Sequence, residues 1–130
     1  MASKSVVKRM DYIFKRYCRL RDTHNGVFRC CSCGQTKPYE KADGGHFINC
    51  KWMATRWRED NVHAQCSSCN RFDEGNASGY ALFMLEKYGK AHIEYLRALS
   101  RESALWTDFE LEILIKDYKA KVKELEKNKF

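Results

Sequence analysis

Four cysteines in two matched pairs are the residues whose spacing most directly predicts chemistry. Cys30 and Cys33 form one C-x-x-C pair, and Cys66 and Cys69 form a second pair further along the chain. Each short turn of this kind offers two sulfur ligands, and four thiolates around one ion form a tetrahedral zinc site. A disulfide or a redox-active pair is less favoured, because neither explains two matched pairs. The spacing therefore predicts a structural zinc ion.

The remaining cysteines leave one alternative ligand open. Cys31 is able to replace Cys30 in a tighter C-x-C arrangement, although the glycine after the second cysteine favours the Cys30 and Cys33 pair. Cys18 and Cys50 belong to neither pair, and we expect them to be core thiols. Disulfides are not expected, because the N-terminal segment has no apolar run long enough for a secretory signal and the cytosol keeps thiols reduced.

A histidine and two asparagines near these cysteines suggest hydrolytic chemistry. His46 lies between the pairs, Asn61 precedes the second pair, and Asn70 directly follows Cys69. The Asn70 oxygen is a hard ligand of the kind that Mg²⁺ prefers, and a histidine is able to take a proton from water near neutral pH. A metal ion would stabilise the charge that builds up on a phosphate. Together these residues outline a nuclease active site.

Two of these side chains have competing interpretations. Asn70 is also a favoured residue type for capping the helix that we expect after the second cysteine pair. His63, two residues after Asn61, is either an additional ligand or base of the site or a support for the strand pair. His46 itself has an ordinary alternative, a buried histidine that is hydrogen-bonded to backbone.

Charge and aromatic residues predict a nucleic-acid partner. The formal net charge is +7, and the basic excess lies entirely in residues 1–72. The segment 51–58 mixes cations, which neutralise phosphates, with indoles that stack on unpaired bases or else fill the core. The predicted DNA-binding residues are Lys51, Trp52, Arg56, Trp57 and Arg58, with Arg16 and Arg19 on the first helix. No stretch approaches the roughly 20 apolar residues of a membrane span.

The chain is long enough for one domain, 1–130, built around the predicted zinc site. Hydrophobic periodicity predicts a basic helix over about 4–22, a core of short strands over about 27–77, and helices over about 78–127. A strand is expected at 27–30 and another at 43–49. The sequence Thr107-Asp-Phe-Glu110 is a capping box that begins the last helix. The apolar stripe of that helix either packs within the chain or pairs two subunits.

The order of these motifs resembles two known groups of proteins. C-x-x-C, His, Asn and C-x-x-C-Asn occur in this order in the zinc-bearing HNH or ββα-metal nucleases, which include phage endonuclease VII. The chain is more closely similar to the phage NinG or Rap recombination proteins. The matching segments are Arg19–Asp22, Cys30–Gly34, Ala42–Phe47, Asn61–Phe72, Gly75-Asn76 and the EKYGK sequence.

The resemblance implies an α+β fold with a zinc-stabilised ββα-metal core, also called the HNH or His-Me finger, between flanking N-terminal and C-terminal helices. It implies a structure-specific endonuclease that cuts branched DNA, such as Holliday junctions and D-loops, in phage recombination. His46 would be the general base, Asn61 would tie the loop to the His46 strand, and Asn70 would bind a catalytic Mg²⁺ or Mn²⁺. Host cytoplasm is the expected location, and symmetric cutting of a four-way junction favours a homodimer.

The chain departs from the HNH pattern at the second ligand of the catalytic ion. Many HNH enzymes have an acidic ligand directly before the catalytic histidine, whereas this sequence has Gly45 there. Asp43 and Asp73 are the substitutes, with Glu74 a weaker one. The competing functions are an HNH-type nicking or homing endonuclease on duplex DNA and a zinc-stabilised DNA-binding module without catalysis.

Overall fold

A computed structural model describes residues 1–72 and 74–130 and shows a mixed α+β architecture. Two small antiparallel sheets form its centre, and helices flank them on both sides in the sequence. The helices are α1 (Lys4–Arg21), α2 (Ser67–Phe72), α3 (Ala77–Lys87), α4 (Lys90–Ser100) and α5 (Asp108–Glu126), with a 3-10 turn at Tyr39–Lys41. The strands are β1 (Thr23–His24), β2 (Val27–Arg29), β3 (Thr36–Pro38), β4 (Ala42–His46) and β5 (Val62–Cys66).

The main core lies between the first and last helices. α1 buries Val6, Met10, Ile13 and Phe14 against the apolar face of α5, as expected from helical periodicity. α5 begins with the predicted capping box, in which Thr107 and Glu110 each accept the other's backbone N–H. The sequence left open whether the apolar stripe of α5 packs within the chain or pairs two subunits. In the structure this stripe is covered by α1 of the same chain.

The second sheet carries the segment between the cysteine pairs. β4 and β5 are antiparallel, with Asp43 opposite Gln65, Gly45 opposite His63 and His46 opposite Val62. β4 ends at His46, so residues 47–49 do not continue the strand as predicted. β5 runs directly into α2. The order is thus strand, loop, strand, helix.

The two glycines of β4 are required by close packing on opposite faces of this sheet. A Cβ at Gly44 would lie 2.9 Å from Cβ of Lys15, and one at Gly45 would lie 2.0 Å from Oε1 of Gln65. Both distances are shorter than real carbon contacts allow. α1 therefore crosses one face of β4 directly, and the Gln65 side chain covers the other. In residues 1–72 and 74–130, no helix is both long and apolar enough to cross a membrane.

Candidate functional site

Cys30, Cys33, Cys66 and Cys69 form one cluster. Their sulfur atoms all lie within 4.8 Å of one another, and the Sγ atoms of Cys33 and Cys66 are 3.9 Å apart. Four thiolates about 2.3 Å from a tetrahedral zinc ion would be roughly 3.8 Å apart. The donor set and its spacing therefore fit a structural metal such as zinc. This confirms the predicted ligand cluster.

The local backbone favours the thiolate form of Cys30. Burial alone would raise the pKa of Cys30, but hydrogen bonds from the backbone N–H groups of Cys33, Cys66 and Ser32 lower this pKa to about 7. Cys31 points elsewhere, with its sulfur beside Ser32 and burial raising its pKa. The alternative ligand set with Cys31 is therefore wrong. The cluster joins the turn after β2 to the junction of β5 and α2.

His46 ends β4, and one of its ring nitrogens is committed to the backbone. Nε2 lies 2.8 Å from the carbonyl oxygen of Arg56. A carbonyl oxygen only accepts, so Nε2 must carry the proton and Nδ1 must hold the free lone pair of the neutral ring. No described residue hydrogen-bonds Nδ1, and no buried side-chain nitrogen is left without a partner in the described chain. Nδ1 is therefore open to solvent.

Burial keeps the His46 ring neutral. It lowers the pKa of His46, and the positive charge of Lys15 lowers it further. A ring that is neutral at pH 7 is able to accept a proton at Nδ1.

The carbonyl that holds His46 is itself fixed by an ion pair. The Arg56 guanidinium donates to both carboxylate oxygens of Asp11 at 3.0 and 2.6 Å and to the carbonyl of Cys50 at 3.0 Å. The Trp57 indole also donates to Asp11, at 2.9 Å. Burial opposes ionisation of Asp11, but these donors bring its pKa below the usual value. The orientation of His46 thus depends on α1 through Asp11.

Asn61 has no access to a substrate, since it is fully buried and holds the loop between β4 and β5. Its Oδ1 accepts from the N–H of Ile48 at 2.8 Å. Its Nδ2 donates to the carbonyls of Ile48 and Thr55 at 3.1 and 3.0 Å. All of its hydrogen bonds therefore join the segment just after His46 to the far side of the loop.

His63 lies on the other face of the hairpin and is sealed by two tyrosines. The Tyr80 hydroxyl donates to the carbonyl of Gly45 at 2.7 Å, so it must accept from Nδ1 of His63 at 3.0 Å. Nε2 of His63 then accepts from the Tyr88 hydroxyl at 2.8 Å. Burial lowers the pKa of His63 to about 3. With both nitrogens bonded, His63 supports the strand pair, and neither nitrogen is available as a ligand or base.

The predicted ligands of a catalytic ion come together in part. Asn70 Nδ2 donates to Asp43 Oδ2 at 3.0 Å, and the Arg71 guanidinium donates to both Asp43 oxygens at 3.0 and 3.1 Å. Asp73 lies outside the described residues, and Glu74 is exposed. Side chains alternate along a strand, so Asp43 and His46 occupy opposite faces of β4, about 10 Å apart along it.

This arrangement does not fit an ion that acts together with His46. The cation beside Asp43 is the Arg71 guanidinium, and Asn70 presents its N–H₂ group rather than its oxygen. The expectation that His46 and Asn70 face one shared site is therefore wrong for this conformation. Asp43 and Asn70 do lie next to each other, as a ligand pair requires.

Several predicted DNA-binding residues serve the fold instead. Trp57 is buried in the main core, so the prediction that it stacks on a base is wrong. Arg56 and Arg58 are paired with Asp11 and Asp60. Arg16 binds Glu126 and the Tyr39 hydroxyl, and the Arg19 guanidinium lies over the Tyr39 ring. Lys51 and Trp52 remain exposed, with the ammonium 5.2 Å from the indole centroid.

A line of cations follows one side of the basic helix α1. Lys4, Lys8, Lys15 and Arg19 follow one another at helical spacing and share one side of the helix, with Asp11 between them. The line extends about 22 Å along the helix axis. Lys4, Lys8 and Lys15 form no ion pair with any described residue. Lys15 packs over Gly44 of β4, and its positive charge lowers the pKa of His46.

These features define a class: an α+β protein with a four-cysteine cluster that could bind a metal ion and a basic helix beside a histidine. The family model described as Bacteriophage Lambda NinG protein matches residues 2–128. The chain belongs to the NinG family.

Curated relatives carry the same family name. The chain is 30% identical over 97 residues to protein ninG of Salmonella phage P22, and 28% identical over 97 residues to protein ninG of Escherichia phage lambda. Each match covers 74% of this chain and 47% of the relative, so the chain spans about half the length of the curated relatives it matches. No solved structure matches the chain.

Proposed function

We propose that this chain is a DNA endonuclease of the HNH type that cuts branched DNA, with His46 as the general base. The observation that carries the proposal is the single hydrogen bond from His46 Nε2 to the Arg56 carbonyl. It leaves Nδ1 free on a ring whose pKa is lowered by Lys15 of the α1 cation line, and a DNA phosphate would bind along that line. The strand, loop, strand, helix order, closed by a four-cysteine cluster, supports the same proposal.

The reaction proposed is hydrolysis of one phosphodiester bond. Nδ1 of His46 takes a proton from water while the water oxygen forms a bond to phosphorus. The bond from phosphorus to the 3′ oxygen breaks, and that oxygen takes up a proton from solvent. The products are a 5′ phosphate and a 3′ hydroxyl, and His46 returns its proton to water. Lys15, whose positive charge lowers the pKa of His46, would offset charge on the phosphate.

A divalent ion belongs to the proposal through the resemblance to HNH nucleases. Asp43 and Asn70 supply a carboxylate and an amide, the donor types that Mg²⁺ and Mn²⁺ take. Their present arrangement with Arg71 does not fit such an ion beside His46, so no step of the reaction is assigned to it. Whether cutting depends on Mg²⁺ or Mn²⁺ is one arm of the experiment.

One observation favours a second function, a zinc-stabilised DNA-binding module without catalysis. The Asp43 carboxylate, which accepts from Asn70, is already neutralised by the Arg71 guanidinium. A protein that only binds DNA needs no open acidic site. The cluster and the cation line would serve it equally well.

The deciding experiment compares cutting with binding. Zinc-loaded protein is incubated with a labelled four-way junction, linear duplex and single strand, with and without Mg²⁺ or Mn²⁺. We expect the junction to be cut, and His46→Ala to reduce the rate at least about 100-fold while binding is retained. His24→Ala is the matched control, because His24 is exposed and lies on β1.

Each outcome selects one function. Equal cutting of plain duplex would indicate a nicking or homing type of endonuclease. Binding without products under every metal condition would indicate the DNA-binding module. Normal cutting by His46→Ala would remove His46 from the reaction.

A further inference from the structure

An apolar cavity of about 360 Å³ lies at the N-terminal end of the α1 cation line. Its apolar walls include Val7, Met53, Leu105 and Trp106. The volume lies within the range of small-ligand sites in proteins. Trp106 is held in place, because its indole N–H donates to the Met53 carbonyl at 3.3 Å and its ring packs edge-on against Trp57. The cavity thus presents an aromatic ring in a fixed orientation.

The rim of this cavity is charged and connects to the candidate base. Lys4 and Lys8 stand on the rim, and neither is ion-paired with a described residue. Asp11 and Arg56 also line the cavity, but they neutralise each other. The Arg56 carbonyl is the group that accepts from His46. Arg56 therefore both lines the cavity and holds the His46 ring through its carbonyl.

We propose that this cavity binds one unstacked base of a DNA strand whose phosphates lie along Lys4, Lys8 and Lys15. A nucleotide is a flat apolar ring joined to an anion, and the site offers an apolar cavity with an indole below a rim of unpaired cations. Stacking on an aromatic side chain is a sequence-tolerant way to hold a base. The inference rests on the proposed function and names its substrate class, DNA in which a base near the cut lacks a partner.

This site replaces the one expected from the sequence. Trp57 is buried and lies behind Trp106, where it supports the ring that lines the cavity. Bases in intact duplex are stacked on their neighbours and cannot enter. A strand at a bulge or branch point presents an unpaired base without the energy needed to unstack one from a duplex. The cavity would therefore favour interrupted duplexes over continuous ones.

The test measures binding without cleavage, using the zinc-loaded His46→Ala protein with no Mg²⁺ or Mn²⁺. The probes are a duplex with one unpaired adenine, the same duplex with an abasic site in place of that adenine, and the fully paired duplex. At one fixed salt concentration we expect the adenine bulge to bind about 5- to 100-fold tighter than the abasic bulge. The abasic bulge and the paired duplex should bind alike.

Filling the cavity should remove this preference. Ala104→Phe places a ring in a wall of the cavity, and Ala98→Phe adds the same group to an exposed position on α4 as the control. Leu105→Ala is a milder variant at a residue that is 76% exposed, so it should fold normally and lose part of the preference. Circular dichroism establishes that each variant is folded.

The results separate this inference from the proposed function. Equal binding of all three probes, or a preference that survives in folded Ala104→Phe, would overturn the base site even if the protein cuts DNA. A preference that disappears in Ala104→Phe but remains in Ala98→Phe supports the site even if no cleavage is found.

Discussion

The two faces of the β4–β5 hairpin carry two histidines that differ in one hydrogen bond. His63 has both ring nitrogens bonded to tyrosine hydroxyls and is 1% exposed. His46 has one nitrogen bonded to a carbonyl and is half-buried. Burial lowers the pKa of both rings, so neither carries a charge at neutral pH. The second ring nitrogen therefore distinguishes the two residues, because it is hydrogen-bonded in the structural His63 and free in the candidate base His46.

The two faces are also physically joined. His63 is the β5 partner of Gly45, and the Tyr80 hydroxyl that accepts from His63 donates to the Gly45 carbonyl. Gly45 directly precedes His46. The buried face therefore fixes the backbone from which the open face presents its ring. Changes on the buried side should therefore lower stability more than a change at His46.

The largest effect should come from removing the cluster on which both faces depend. Cys66 is the last residue of β5 and one of the four clustered cysteines. Metal binding in small zinc domains is worth roughly 10 to 16 kcal/mol, as much as a whole domain's stability. We expect Cys66→Ser to lose zinc and to unfold the hairpin with both histidines. Metal content and circular dichroism measure this.

Cys50→Ser is the matched control for that loss. Cys50 is partly exposed and lies outside the cluster. It should retain zinc and a melting temperature close to that of the unmodified chain. A folded, zinc-free Cys66→Ser protein would show that packing alone holds the hairpin.

The next largest effect separates the two histidines. His63→Ala leaves a cavity and removes the partners of two tyrosine hydroxyls, which should cost about 2 to 4 kcal/mol of unfolding free energy. His46→Ala removes a half-buried ring with one hydrogen bond and should cost less than about 1.5 kcal/mol. Denaturant unfolding of both variants measures the difference. Equal losses would mean that the two faces are structurally equivalent.

Tyr80 tests the connection between the faces. Its hydroxyl is buried and bonds both Gly45 and His63, so Tyr80→Phe should cost about 1 to 3 kcal/mol by leaving those groups without a partner. Tyr88 is only partly buried, and water is able to replace its hydroxyl in Tyr88→Phe. That control should lose under about 1 kcal/mol. A larger loss of stability in Tyr88→Phe than in Tyr80→Phe would mean that the Gly45 carbonyl is held by other contacts.

Local patterns in the sequence predicted the parts of the fold that depend on spacing. The two C-x-x-C pairs form the cluster because short turns fix where their sulfurs point. The capping box at Thr107 and Glu110 begins α5, since its hydrogen bonds join residues three apart. The helix period similarly predicted α1 to within one residue of its observed end.

The candidate site could be predicted only in part, because strand pairing and side-chain direction decide it. The separation of Asp43 and His46 by three residues places them on opposite faces, which the motif order alone does not reveal. Trp57 looked like a DNA contact, but tertiary packing placed it in the core. The cation line of α1 was visible as a period in the sequence. The position of this line over β4 was not visible in the sequence.

The smallest predicted effect is a pH dependence from the buried face. In the folded chain the pKa of His63 is about 3, and the usual value of an exposed histidine is about 6.5. Above pH 6.5 both states are neutral and His63 contributes nothing to the pH dependence. As the pH falls below 6.5, the unfolded chain takes up a proton that the folded chain does not, so stability decreases until the pH reaches the folded pKa.

Between pH 6.5 and 5.5 this should cost about 1 kcal/mol. His63→Gln removes the titrating group and should flatten the pH profile of unfolding free energy by that amount, with zinc saturating in both proteins. His46 titrates in both chains, as do the cysteines, so the difference between the profiles isolates His63. Parallel profiles would show that the ring is protonated while folded. The hydrogen bonds with the two tyrosines would then not keep His63 neutral, and the contrast between the two faces would be lost.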